Sequence, residues 1–305
     1  MSKALMDTLM QTTRWRMGAV IGLAGALCAV HVVALGAQCT PPANSNEARL
    51  LAFYEAPIVF STADAPMRMA PGSVALTGEL TGVPAPAANA QQTNFCYAAK
   101  QDATHLSPLL PRLRITVGLP LGFAVEGAYL PPVTVDRAQP NLGSLALTYT
   151  RSLLAPVDHE SGIGLTMQLR AHATMGSVKG PITCPSSALQ TTNEAAPCWG
   201  TIPSDDAFYA TSEGGEGTLA ITAPGGRVTA FAGAGYTALA PHFRVDFTNE
   251  DDVTDRTLVE VDLQRGAVFG GVDVQIIRAL DAGAEVYSVP ADVTTWRVTA
   301  RYRLW

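Results

Sequence analysis

From Ser73 to the last residue the chain alternates. Short runs with an apolar residue at every second position are separated by Gly, Pro and acidic clusters, the spacing of strands with two unlike faces. The final run is the clearest: Trp296, Val298, Ala300, Tyr302 and Leu304 alternate with Arg297, Thr299, Arg301 and Arg303. Leu113, Ile115 and Val117 oppose Arg112, Arg114 and Thr116. The turn Gly118-Leu-Pro-Leu-Gly122 then leads into Phe123, Val125 and Tyr129, opposed by Ala124, Glu126 and Ala128. Val74 to Thr81, Leu145 to Tyr149, Ile163 to His172, Phe208 to Thr222 and Val228 to Ala238 read the same way. So do the short rows Phe243, Val245, Phe247 and Val259, Val261, Leu263, then Val268 to Ile276 and Leu280 to Tyr287. The pattern predicts about twelve antiparallel strands, and a phase break near Arg265-Gly266 with the brevity of the Phe243 row leaves ten to fourteen open. Short turns at 118–122, 224–226 and 278–281 alternate with longer loops at 84–110, 177–206 and 288–292.

The polar rows decide between two all-β folds. A soluble sandwich buries its apolar rows and shows water rows rich in Lys, Glu and Asp. Here the polar rows mix Gly, Ala and Thr with Arg, Glu and Gln, which suits a crowded lumen, and Tyr129, Tyr149, Tyr287, Trp296 and Tyr302 cluster near strand ends as an interface girdle does. A bilayer admits a sheet only when it closes on itself. The fold expected is therefore a closed antiparallel transmembrane β-barrel, with a soluble exported β-sandwich as the alternative. Its lumen is expected to be lined by Arg112, Arg114, Glu126, Arg170, Arg227, Glu260, Asp262, Arg297, Arg301 and Arg303, with Asp273 and Glu285 among the inward charges. Those charges either set a field across an open pore or pair with each other and fill a narrow one.

Three segments are expected. Residues 1–37 read as a secretory signal peptide: Lys3, Arg14 and Arg16 precede an uncharged run from Met17 to Gly36, and Ala37-Gln38 offers small-residue cleavage. The run is also long enough for an uncleaved anchor. Residues 38–72 hold a short helix within Asn44–Pro57, with Asn44 as cap, Glu47 three residues on, and Leu50, Phe53 and Tyr54 on one face. Such a helix plugs a barrel, closes its periplasmic mouth or packs beneath it. Residues 73–305 form the barrel.

Of 20 basic and 26 acidic residues, Lys3, Arg14, Arg16 and Asp7 fall in the leader, so what remains is acidic and argues against nucleic acid as a partner. Beyond the leader four cysteines remain. Cys184 and Cys198 bracket a Pro-, Ser- and Asn-rich stretch and are expected to bridge, stabilising by roughly 3 kcal/mol in the chain-entropy model. Cys39 with Cys96 follows by elimination. The spacing holds no metal site and no cofactor is expected. His159-Glu160-Ser161 brings three reactive groups together, but in a turn and without a nucleophile elbow, so no enzyme activity is expected. The acidic stretch Asn249–Asp255 lacks the spaced oxygens of a calcium loop and reads as a solvated loop.

The terminal run resembles the C-terminal strand of Gram-negative outer-membrane β-barrels, which commonly end in an aromatic residue; Trp305 sits one residue out of phase with the apolar face. The helix ahead of the barrel and the Gly-Leu-Pro-Leu-Gly turn are loosely similar to long-chain fatty-acid transporter barrels and related uncharacterised barrels, which use an N-terminal segment as a hatch, though in longer chains with more strands. The resemblance implies outer-membrane localisation, lipid and lipopolysaccharide as surroundings, and assembly machinery that reads the terminal strand. It implies passage of a small hydrophobic or polar solute, against a structural or surface-binding barrel with a closed lumen.

Overall fold

The computed structural model describes residues 38–86, 95–96, 108–134, 137–154 and 162–304. Along the chain lie β1 (Gln38–Cys39), α1 (Asn46–Glu55), β2 (Val74–Gly82), β3 (Leu109–Gly118), β4 (Phe123–Leu130), β5 (Gln139–Leu154), β6 (Gly164–Gly180), β7 (Asp206–Thr222) and β8 (Val228–Leu239). The short strands β9 (His242–Arg244), β10 (Phe247–Thr248), β11 (Thr254–Asp255) and β12 (Leu258–Glu260) follow, then β13 (Leu263–Ile277), β14 (Leu280–Val289) and β15 (Val293–Arg303).

Ten strands close a barrel. β2 to β8 pair in sequence order, β8 pairs with β13, β13 with β14 and β14 with β15, and β15 returns to β2 through Trp296↔Gly82 to Arg303↔Ala75. Closure leaves the ring no free edge. The count corrects the expectation of about twelve. The Phe243 and Val259 rows do alternate, but they form β9 and β12, which join β1 as a flap on the start of β7 outside the ring. Their apolar side chains pack on α1 and the loops around it instead of facing outward. No bulge or turn marks the phase break near Arg265: Arg265 and Gly266 lie within β13, in unbroken register with Thr237 and Tyr236 of β8.

The two ends differ. At one, the turns after β3, β7 and β13 are short. At the other lie the connections 83–108, 131–138, 181–205 and 240–262, together with α1. The connection at 290–292, expected to be long, is a tight turn. The alternation is explicit in the burial of β15: Thr295, Arg297, Thr299 and Arg301 are buried while Trp296, Val298 and Tyr302 are exposed. Leu113, Ile115, Leu145, Leu147, Leu169, Leu219, Ile221, Val268, Val272 and Val286 continue that exposed apolar wall.

Ser45, not Asn44, caps α1, accepting from Ala48 N at 3.1 Å, and Glu47 turns away to accept from the Phe95 amide. α1 buries Ala48, Leu51 and Ala52 against Ile182, Phe208, Phe243, Val259 and the sulfurs of Cys184 and Cys198, all at the long-loop end. A second apolar cluster joins Phe53 and Ala56 to Phe231, Phe269, Tyr287 and Val293 on one side of the lumen. The helix thus closes the long-loop mouth of the barrel. Both cysteine pairings form, Cys39–Cys96 and Cys184–Cys198, with Cα atoms 5.6 and 5.5 Å apart. Both lie at the helix end of the barrel. Residues 1–37 and Trp305 lie outside the described residues.

Candidate functional site

The inward charges converge on the chain itself. After α1 the backbone enters the lumen from the long-loop end. It leaves at the other end, where Gly72 donates to Gly118 O and Gly118 to Ser73 O as β2 begins. An irregular segment inside a barrel has backbone groups with no ladder to join, and each must find a partner or pay a desolvation cost. The wall supplies them. Arg112 donates to Ile58 O at 2.7 Å and to Val59 O at 3.4 Å, and Arg170 to Phe60 O at 3.2 and 3.1 Å. Arg114 reaches Ser61 O at 3.2 Å, Arg297 reaches Thr62 O at 3.0 Å and the Ser61 hydroxyl, and Arg301 reaches Ala65 O at 3.1 Å. The amides turn to the wall's acids: Thr62 N to Glu216 at 3.0 Å and Ala65 N to Asp273 at 2.8 Å.

Arginine suits this work because a fixed fork can serve a carbonyl and a carboxylate together. Arg114 bonds Glu79 at 2.5 Å and Glu126 at 3.2 Å, Arg170 bonds Glu126 at 2.6 Å, and Arg297 pairs with Glu285 at 3.4 Å. Arg301 joins Asp64, Asp273 and Asp281 at 2.9 to 3.4 Å. Phe60, fully buried, is the hub: the guanidinium carbons of Arg112, Arg114 and Arg170 stand 5.5, 4.7 and 4.7 Å from its ring centre. These are cation–π distances. Arg297 covers the Tyr287 ring at 4.3 Å. Cavities of 20 Å³ beside Asp64 and 10 Å³ beside Val59 have room for about one water each.

Arg112, Arg114, Glu126, Arg170, Arg297 and Arg301 therefore lie buried on the inner face, and Arg303 sits at the short-turn rim on Asp281 at 2.8 Å. Three expected lining residues lie elsewhere. Arg227 is exposed in the turn between β7 and β8, one residue before the strand. Glu260 is in β12 outside the ring, 3.6 Å from His242, and Asp262 is exposed between β12 and β13. The flap misplaced both. Glu79, Glu216, Asp273, Asp281 and Glu285 belong to the lattice as well. Glu216 escaped notice because the glycines around it read as a weak stretch of strand. His172 is buried in a lumen row, 3.9 Å from Glu216. His159, Glu160 and Ser161 lie outside the described residues. The acidic stretch Asn249–Asp255 spans the β10–β11 hairpin, with Asn249 Oδ1 accepting from Asp251 and Val253 amides.

Two buried acids hold the long-loop end. Asp206 gathers its loops, accepting from Thr183 N, Thr183 Oγ1, Ser204 Oγ and Asp246 N at 2.6 to 2.9 Å. Glu55, the last residue of α1, is fully buried, and that burial pushes its pKa up to about 8; the Ser212 hydroxyl and Thr211 backbone oppose the shift. A carboxyl raised in the folded state favours docking of α1 fully below its unfolded value of 4.5, and the contribution is lost as pH rises through about 8. Protection of α1 amides, measured against their intrinsic exchange rates, is accordingly expected to be highest below pH 4.5 and to fall progressively between there and about pH 8. Glu55→Gln, which cannot ionise, should flatten that dependence. Unchanged pH dependence in the variant would remove Glu55 as its cause.

No family model matches the chain, and no curated protein does. Among solved structures it is similar to Ail, the attachment invasion locus protein of Yersinia pestis, at 11% identity and TM-score 0.21 over 77% of this chain and 100% of that one. The outer membrane protease OmpT of Escherichia coli is similar at 8% identity and TM-score 0.32 over 76% and 94%. The Acinetobacter baumannii outer membrane protein Omp33 gives 11% and 0.26 over 76% and 98%. Values this low assign no activity to the chain. They do not establish the likeness to fatty-acid transporter barrels either.

Proposed function

We propose that this chain is an outer-membrane β-barrel whose axial lumen is closed by its own N-terminal segment, and that it serves as a structural or surface-binding barrel from its long-loop face. The observation that carries the reading is the run Ile58–Ala65 inside the lumen, its carbonyls taken up by five wall arginines. A membrane setting is supported by the exposed apolar wall, since large contiguous apolar surface marks an interaction with lipid or protein. With short turns toward the periplasm, α1 and the disulfide Cys39–Cys96 stand on the outer face. The threaded segment therefore reaches that face through its own barrel. The reading assigns the protein no reaction. It expects assembly machinery to read β15.

Single-channel recording tests it. Wild-type protein in planar bilayers is expected to give no conductance steps, and a variant lacking residues 38–72 to give them. Steady conductance by the intact chain would overturn the closed lumen.

A further inference from the structure

The outward face of β5 to β8 is not evenly bulky. One row across it reads Leu145, Ala173, Glu213, Ala238. The next row, one step toward the short turns, reads Leu147, Ala171, Gly215, Tyr236. The two leucines on one side and the tyrosine on the other stand up from a floor of alanine and glycine. An open groove of about 790 Å³ follows from that relief, lined by Leu145, Leu147, Ala171, Ala173, Glu213 and Tyr236 among others.

Glu213 is an acid on an otherwise apolar wall. Ser212 and Glu216 of the same strand point inward and are buried, whereas Glu213 is exposed. It sits one pair from Ser212↔Leu239, where the β7–β8 ladder ends at the long-loop rim. No described residue hydrogen-bonds or ion-pairs with it. An ionisable side chain on a membrane-spanning surface costs free energy, and its presence points to a partner. The cost is smallest close to the interface, where lipid head groups are within reach. Tyr236, in the next row, marks that boundary, its hydroxyl donating to Gln264 at 2.6 Å.

We infer that this groove seats one acyl chain of a lipid whose head group carries a primary ammonium, with Glu213 as the counter-ion of that ammonium. The furrow between leucines and tyrosine gives a chain contacts on three sides, where a level wall gives them on one. The carboxylate selects the head group. An ammonium donates a charge-assisted N–H···O bond to it, a quaternary amine has no N–H to donate, and an anionic head group is repelled. The inference rests on the outer-membrane reading above and leaves the closed lumen untouched.

Native mass spectrometry of the full-length protein tests this. The protein is refolded with an equimolar mixture of phosphatidylethanolamine, phosphatidylcholine and phosphatidylglycerol bearing identical chains. Wild type should retain the ethanolamine lipid over the other two by roughly tenfold, the effect of one charge-assisted bond. Glu213→Gln should abolish that preference and leave the total lipid retained nearly unchanged. Ala173→Phe and, separately, Ala171→Phe fill the floor and should cut retained lipid several-fold; using both guards against one failing to fold. No preference in wild type, or the same preference in Glu213→Gln, overturns the head-group pairing. Retention of the glycerol lipid that needs Ca²⁺ and is lost on chelation means a bridging ion, and overturns the ammonium. Retention indifferent to both phenylalanines overturns the groove. A wild type that stays dispersed without detergent and keeps no lipid overturns the outer-membrane reading itself, whereas one that keeps lipid of every head group alike overturns this inference alone.

Discussion

Arg114→Met is expected to lower the unfolding free energy of the refolded protein by about 3–5 kcal/mol, the usual cost of removing one partner from a buried ion pair. Arg114 is buried, and its loss leaves Glu79 with Arg112 at 3.6 Å and Glu126 with Arg170 at 2.6 Å, frees the Ser61 carbonyl and uncovers one face of Phe60. Arg303→Met serves as the comparison. That side chain is 30% exposed at the short-turn rim and holds Asp281 alone, so its removal should cost under about 1 kcal/mol. Denaturant titration in vesicles measures both. Adding Glu79→Gln to Arg114→Met should recover part of the loss, because the Glu79 carboxylate, left with Arg112 alone at 3.6 Å, has lost its shorter partner. Equal costs for Arg114→Met and Arg303→Met would mean the lattice is ornamental to the fold.

The inner lattice was half legible in the sequence. Arg112, Arg114, Arg170, Arg297 and Arg301 fall in rows opposite apolar rows, and that alone sends them inward. What they hold was not legible. Residues 57–65 have no period and no charge before Asp64, and nothing local says that their carbonyls meet guanidiniums far along the chain. Glu216 was hidden by its glycines. Gly214, nearby, is required because a Cβ there would come within 2.7 Å of Thr237 Oγ1 and 2.8 Å of His172 Nε2. Glycine in this strand marks crowding inside the barrel, not weakness. The overcount of strands has a related cause. The Phe243 and Val259 rows alternate like wall strands because a dry cap against α1 asks for the same pattern as lipid does. The helix itself was visible from Glu47 and Pro57, but the end of the barrel it closes was not, since that depends on which way the following segment runs.

Val298→Arg is expected to cost about 2–4 kcal/mol, whereas Thr294→Arg, also on the outer face of β15, should cost about 0–1, because a lipid-facing arginine is penalised by depth. Val298 is exposed halfway along the strand, flanked by Ala284 and Leu80 in the neighbouring strands. Thr294 is exposed near the long-loop rim, within 2.8 Å of the Ser288 hydroxyl. In water both positions are ordinary surface sites, and substitutions there usually stay within about 0.5 kcal/mol. The contrast between the two therefore separates a membrane barrel from the soluble alternative, and does so on the strand whose alternation suggested lipid in the first place. Unfolding titrations of both variants in vesicles read the difference. If Val298→Arg is as mild as Thr294→Arg, the exposed apolar wall faces something other than a bilayer.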